Sequence, residues 1–349
     1  MTEKKSGIKL FLAGIFPNRG DSRAEFVRKG VLLASFAVLA VCAAVMLALS
    51  WAPQSDEKLN SEIRDTKELN ENGSFGIPQE KVDEIKQEVP KILDKFVELY
   101  AQNKDIVGWV KIEDTPIDYP VLQAADNDYY LTHSFDGTKT ISGSLFADCH
   151  IPLTYESVPN NIVVYGHNLL SGEYFSKLTY YLPARYGSLD FYKTHPTFEF
   201  DTLYEEGTYK VFAGMYINTG EKDGYAYPYH QKRSFKTKAE FMDFVGNILD
   251  RSAFYTGVDL EYGDQILTLS TCFFYPLGMD HSTRFVLFAR KVRDSESAEV
   301  DVSKAYINED PLYFDAYYRL TGAEEWGGRK WDTSLVKDFD DFNIVSTTK

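Results

Sequence analysis

Disulfides can contribute little to this chain. Only three cysteines, Cys42, Cys149 and Cys272, occur in 349 residues, and a core of that size needs no staples. Cys42 falls in an apolar run, so Cys149–Cys272 is the one bridge left for the rest of the chain. A thiol left unpaired outside a cell flags reactivity. Positive charge is scarce as well: 37 Lys and Arg face 52 Asp and Glu, a formal net charge of −15. That argues against a nucleic-acid partner, since little would neutralise the phosphates. Internal repeats are absent.

Charge is missing altogether from Gly30 to Ala52, a run of 23 residues. A helix needs about 20 residues to span a bilayer core. Seven basic residues precede the run against three acidic ones, and Asp56-Glu57 follow it. The positive-inside rule then puts the N-terminus in the cytoplasm and the remainder outside. Ala48-Leu49-Ser50 offers a passable cleavage site. The run is longer than a signal-peptide core of about 7–15 residues, which favours an uncleaved single-pass anchor in the cell membrane.

Aromatics are plentiful, 24 Tyr and 24 Phe, and suit a β-rich core. From Lys81 to Tyr100, apolar residues at spacings of three and four predict an amphipathic helix kinked at Pro90. From Ile106 onward short apolar runs are cut by turns. Strands are expected at 107–112, 117–122, 144–147, 161–165, 209–217, 266–272 and 285–291. Their irregular spacing and the lack of interleaved helices point to an antiparallel barrel or sandwich. One helix is expected from Lys238 to Leu249. The segment 294–349 is acidic on balance yet holds Tyr313, Phe314, Trp326 and Trp331, and composition alone leaves it open whether it packs or is solvated.

The chemistry centres on the strand Gln265 to Cys272. It stops at a cysteine, and twelve residues on Arg284 opens a second apolar run, Phe285 to Ala289. Two strands joined by that loop bring Cys272 and Arg284 together at one end of a sheet. A guanidinium beside a thiol favours thiolate, the form that attacks carbonyls. His167 ends another apolar run, Ile162-Val163-Val164-Tyr165-Gly166, so its ring is placed to project from a rigid edge. The other histidines, His133, His150, His195, His230 and His281, sit in polar or loop-like contexts. Cys149-His150 is a rival pair, but neighbours on a strand face opposite sides, and Cys149 reads as a small buried hydrophobe.

Thr268-Leu269-Ser270-Thr271-Cys272 followed by Arg284, with Tyr165-Gly166-His167-Asn168 upstream, resembles the sortases, membrane-anchored cysteine transpeptidases of Gram-positive bacteria. Val107 to Ile112, Tyr119-Pro120-Val121 and Asp126 to Leu131 point to class B. The resemblance covers roughly residues 78–293. It implies a mainly β fold: a closed eight-stranded β-barrel with N-terminal helices and one inserted helix, preceded by a single transmembrane helix. The domains are then a basic leader 1–29, an anchor 30–52, a linker 53–77, a catalytic domain 78–293 and an acidic aromatic extension 294–349. It implies catalytic roles for His167, Cys272 and Arg284, and substrate contacts at Asn127, Ser270, Thr271 and Phe273, the last through its backbone N–H as an oxyanion donor. The implied partners are surface proteins with an LPxTG-like C-terminal sorting motif and an acceptor amine of the peptidoglycan precursor or of a pilin lysine. No cofactor or metal is implied. A papain-type thiol hydrolase would instead place its cysteine at a helix N-terminus. A non-catalytic adhesin would have Cys272 buried or disulfide-bonded.

Overall fold

The structure is a computed structural model and describes residues 15–183 and 187–339. Residues 1–14 of the expected leader, the side chains of 45–55 and residues 340–349 of the expected extension lie outside that description. The chain divides into two units, Met1–Lys58 and Leu59–Lys349. Helix α1 spans Arg23–Glu71. Its Arg23–Ala44 portion has a mean hydropathy of 1.9 and is long and apolar enough to cross a membrane.

In the second unit, the single kinked helix expected around Pro90 is two helices, α2 (Gln79–Glu88) and α3 (Asp94–Gln102). Proline disfavours the helical conformation of the residue before it. Val89 accordingly ends α2 with φ −121° and ψ 86°, and Lys91 adopts a left-handed φ of 64°. The break lets both helices bury their apolar faces. Val82 and Ile85 of α2 and Phe96 and Val97 of α3 pack in one cluster with Ile106, Trp109 and Leu122.

The strands are β1 (Ile106–Lys111), β2 (Asp118–Leu122), β3 (Leu145–Ala147), β4 (Asn161–Gly166), β5 (Thr197–Thr202), β6 (Thr208–Asn218), β7 (Phe254–Tyr255), β8 (Ile266–Cys272), β9 (Thr283–Lys291) and β10 (Tyr306–Ile307). Eight of them pair in the order β1-β2-β3-β4-β8-β9-β6-β5, and β5 pairs back on β1, so the ring closes. Pairings β2–β3 and β4–β8 are parallel. The expected strands are all present; the short β7 and β10 are additions, and so is β5. Its Phe198 and Phe200 point inward while Glu199 is exposed, and Asp201 is accepted in a buried position because Lys95 Nζ lies 2.9 Å from it.

Helix α4 (Lys238–Arg251) forms as expected. Thr237 caps it by accepting from the Glu240 N–H at 3.2 Å, and the Glu240 carboxylate accepts from the Lys236 N–H at 2.7 Å. Such a cap satisfies backbone donors that the first turn leaves unpaired.

The described part of the acidic extension, 294–339, is packed, not solvated. Phe314, Ala316, Trp331, Val336 and Phe339 join the main core, and β10 pairs with β7. Helix α5 (Asp315–Thr321) ends at Gly322 in the left-handed conformation, φ 72°. Two polar anchors hold the segment. Trp331 Nε1 donates to Asp250 at 2.8 Å, beside a bidentate Arg329–Asp250 pair. Arg290, fully buried on β9, pairs with Glu296 at 2.6 Å.

Trp331→Ala is expected to cost about 3–5 kcal/mol, the range for emptying a buried aromatic site. Urea denaturation checks it, and a cost near zero would return the extension to solvent. The Arg290 guanidinium, by hydrogen bonding, holds the Glu296 carboxyl well below the usual carboxylate range. A folded-state value lower than the unfolded one contributes stability above the ordinary range and loses it as pH falls. Thermal midpoints should therefore drop between about pH 5 and pH 2, and Glu296→Gln should flatten part of that drop.

Candidate active site

Strands β4 and β8 run side by side in the same direction, paired from Asn161↔Ile266 to Gly166↔Thr271. The next residue on β4 is His167; the next on β8 is Cys272. The antiparallel β8–β9 ladder ends on Cys272↔Arg284. The three residues thus close one end of three adjacent strands. All three are half-exposed, and Cys272 is a free thiol. A cysteine at a strand end departs from the papain arrangement, and its accessibility argues against the adhesin reading.

Local contacts fix this end. A Cβ at Gly166 would meet Leu145 Cδ2 at 2.3 Å and Phe175 Cδ2 at 2.7 Å, so only glycine lets β4 reach the rim. The Thr271 hydroxyl donates to the Gly166 carbonyl at 2.8 Å and ties the two strand ends. Asn168 Nδ2 donates to the Cys272 carbonyl at 2.9 Å. His167 Nε2 lies 2.9 Å from the Leu131 carbonyl. A carbonyl only accepts, so Nε2 carries the proton and Nδ1 of the neutral ring is the basic nitrogen. Arg284 forms no ion pair among the described residues; its guanidinium carbon lies 6.0 Å from the centre of the Tyr165 ring.

The residues expected to contact substrate have other work. Ser270 and Thr271 are fully buried. The Ser270 hydroxyl is 2.8 Å from Tyr229 OH, and that of Thr271 is spent on Gly166. The Phe273 N–H donates to the Thr283 carbonyl at 3.1 Å. The ladder continues one residue past Cys272, so that the N–H expected to serve as an oxyanion donor is held here by the Thr283 carbonyl. Asn127 binds the turn after β3, donating to Asp148 at 3.2 Å and accepting from the Cys149 N–H at 2.8 Å. The large apolar side chains exposed in the loop after Cys272 are Phe274, Tyr275 and Met279.

Cys149 and His150 also depart from expectation. They sit in a turn, not a strand, so the opposite-faces argument does not apply: Cys149 Sγ is 3.3 Å from His150 Nδ1. Asp148 is buried and accepts from His150 Nδ1 at 3.0 Å and from Tyr165 OH at 3.1 Å. Burial alone would raise its carboxyl pKa, but the hydrogen bonds from His150 and the charge of Arg233 outweigh burial and lower it. The Cys149 thiol is pushed up, first by burial and then by the Asp148 charge, which is the wrong direction for a nucleophile. Asp148, Cys149 and His150 are the three side chains among the described residues whose donor atoms lie close enough to share a metal ion. Tyr165, Tyr229 and the Leu131 carbonyl also support the site; only Tyr165, next to Gly166-His167, carried a signal in the sequence.

The chain is 35% identical to sortase B of Listeria monocytogenes serovar 1/2a over 182 residues, 52% of this chain and 68% of that protein. It is 32% identical to sortase B of Staphylococcus aureus over 178 residues, 51% of this chain and 67% of that protein. Among solved structures it resembles a Staphylococcus aureus sortase B–substrate complex, with a TM-score of 0.56 and 25% identity, covering 70% of this chain and 100% of that one. No protein-family model matches it.

Iodoacetamide at pH 8 is expected to modify Cys149 more slowly than a free cysteine, because its thiolate fraction is reduced. Mass spectrometry of the tryptic peptide measures this. Labelling at or above the free-thiol rate would contradict the raised thiol pKa.

Proposed function

The chain belongs to the class B sortases and is a sortase transpeptidase, and from that premise we propose that it cleaves an LPxTG-like C-terminal sorting motif after threonine and passes the acyl group to an amine of the cell-wall peptidoglycan precursor. The observation that carries this reading is the meeting of His167, Cys272 and Arg284 on three adjacent strand ends.

The Cys272 thiolate attacks the threonine carbonyl. The carbonyl π electrons move to oxygen, and the oxyanion faces the Arg284 guanidinium, a fixed donor fork with no competing carboxylate among the described residues. Collapse expels the amine of the next residue, which takes a proton from the imidazolium of His167 and leaves a thioester on Cys272. The acceptor amine then attacks the thioester carbonyl. His167 receives the amine proton, an amide bond forms and the thiolate departs. The Leu131 carbonyl holds the His167 ring by Nε2, which assigns proton exchange to Nδ1. Residues 30–52 anchor the enzyme with its N-terminus in the cytoplasm and residues 78–293 outside, where the sorted proteins emerge.

The test is the full-length enzyme in detergent, a panel of LPxTG-like and NPxTG-like peptides and an amine acceptor. Wild type should form an acyl adduct on Cys272 and an amide product. Cys272→Ala should abolish both, and His167→Ala and Arg284→Ala should each lower turnover by about 10²–10³-fold. Full turnover in Cys272→Ala would overturn the assignment.

A further inference from the structure

A cavity of about 1150 Å³ opens between the β6 end of the ring and the C-terminal extension. One wall belongs to the catalytic end. Ile217 lines it and pairs with Arg284 across the β6–β9 ladder. Tyr229 lines it too and bonds Ser270, two residues before Cys272. The opposite wall, with Tyr318 and Trp326, comes from the extension.

Between these walls stands Arg251, the last residue of α4, only 6% exposed. Its NH1 donates to the carbonyl of Asn247 at 3.0 Å and to the side-chain oxygen of Asn247 at 2.9 Å, and its guanidinium lies 4.9 Å from the Tyr227 ring centre. The three N–H donors on Nε and NH2 have no hydrogen-bond partner among the described residues. No carboxylate there forms an ion pair with Arg251; its neighbour Asp250 is taken by Arg329. A buried cation without a counter-charge is costly. Burial indeed lowers the pKa of the Arg251 guanidinium.

We propose that this cavity binds the free carboxylate of the acyl acceptor, with Arg251 as its counter-ion. The assignment rests on the transpeptidase reading above. The donor motif is an internal stretch of protein with no terminal carboxylate beside its scissile bond. The acceptor is a separate amine, and a peptide acceptor also carries a carboxylate. A guanidinium fork matches that planar anion. Glu221, Asp315 and Glu325 line the same cavity and are exposed. With Arg319 as the one further arginine in the lining, they disfavour a multiply charged phosphate. An acceptor seated this way has its carboxylate at Arg251 and its amine toward Ile217, the cross-strand partner of Arg284.

Glycylglycine and glycylglycinamide present the same amine, with and without the carboxylate. With the full-length enzyme and a sorting-motif peptide, the KM for glycylglycine should be at least about tenfold lower, the scale of one charge-assisted contact. Arg251→Met should raise it to that of the amide and leave the rate of thioester formation unchanged. Arg251→Lys should retain part of the preference and serves if the methionine variant does not fold. Equal KM values for the two acceptors in wild type, or a preference that survives in Arg251→Met, would overturn the proposal. Calorimetry with N-acetylglycylglycine, which cannot react, separates the two readings. If no thioester forms with any peptide but this ligand binds wild type and not Arg251→Met, the carboxylate site stands and the acceptor role falls. No binding to wild type overturns the site itself.

Discussion

The parallel pairing of β4 with β8 is the constraint on which the rest of the molecule depends. Two parallel strands that start and stop in register bring their final residues to the same rim. Antiparallel neighbours instead bring the end of one strand to the start of the next, as β8 and β9 do around Cys272 and Arg284. Parallel strands need a long crossover, and here it contains β5, β6 and α4. The crossover supplies Tyr229 to support Ser270 and Arg251 to face the cavity. The framework that sets histidine beside cysteine therefore also builds the neighbouring pocket.

The second organising feature is electrostatic. Arg290 is fully buried on β9, with Glu296 and Asp259 in contact. Removing either acid would leave part of a buried charge uncompensated, the expensive direction for such a pair. Glu296 lies at the start of the extension, so the ion pair clamps the chain as it leaves the ring. Asp250 does the same further along by holding Arg329 and Trp331. An acidic segment is kept on an acidic protein by setting its Glu296 against buried Arg290 and its Arg329 and Trp331 against buried Asp250.

Much of this was legible in the sequence. Strand-end positions of His167 and Cys272, and Arg284 across a loop, follow from apolar runs that stop abruptly. β5 was missed because Thr-Phe-Glu-Phe-Asp-Thr offers two apolar residues among acids that strands disfavour. The lysine that makes Asp201 tolerable lies far away in sequence, on α3. Pro90 breaks the helix that periodicity alone predicts to be kinked. At Cys149 and His150 the chain turns where the sequence suggests a strand. Phe273 looked free because nothing local reveals that the ladder runs one residue beyond the cysteine. Arg251 carried no signal, since a charge at a helix end reads as solvated until the walls around it are known.

The sequence distance spanned at the β4–β8 seam has a consequence of its own. Thr271 and Gly166, whose contact ties the two strand ends, are 105 residues apart. A contact of that span forms only after the intervening chain has been gathered in. Until then Cys272 stands apart from His167, although Arg284, twelve residues on, can pair with it locally. The reactive group is in this sense assembled rather than carried. Under the proposed function, a chain crossing the membrane in extended form would acquire its chemistry only with its last long-range contacts.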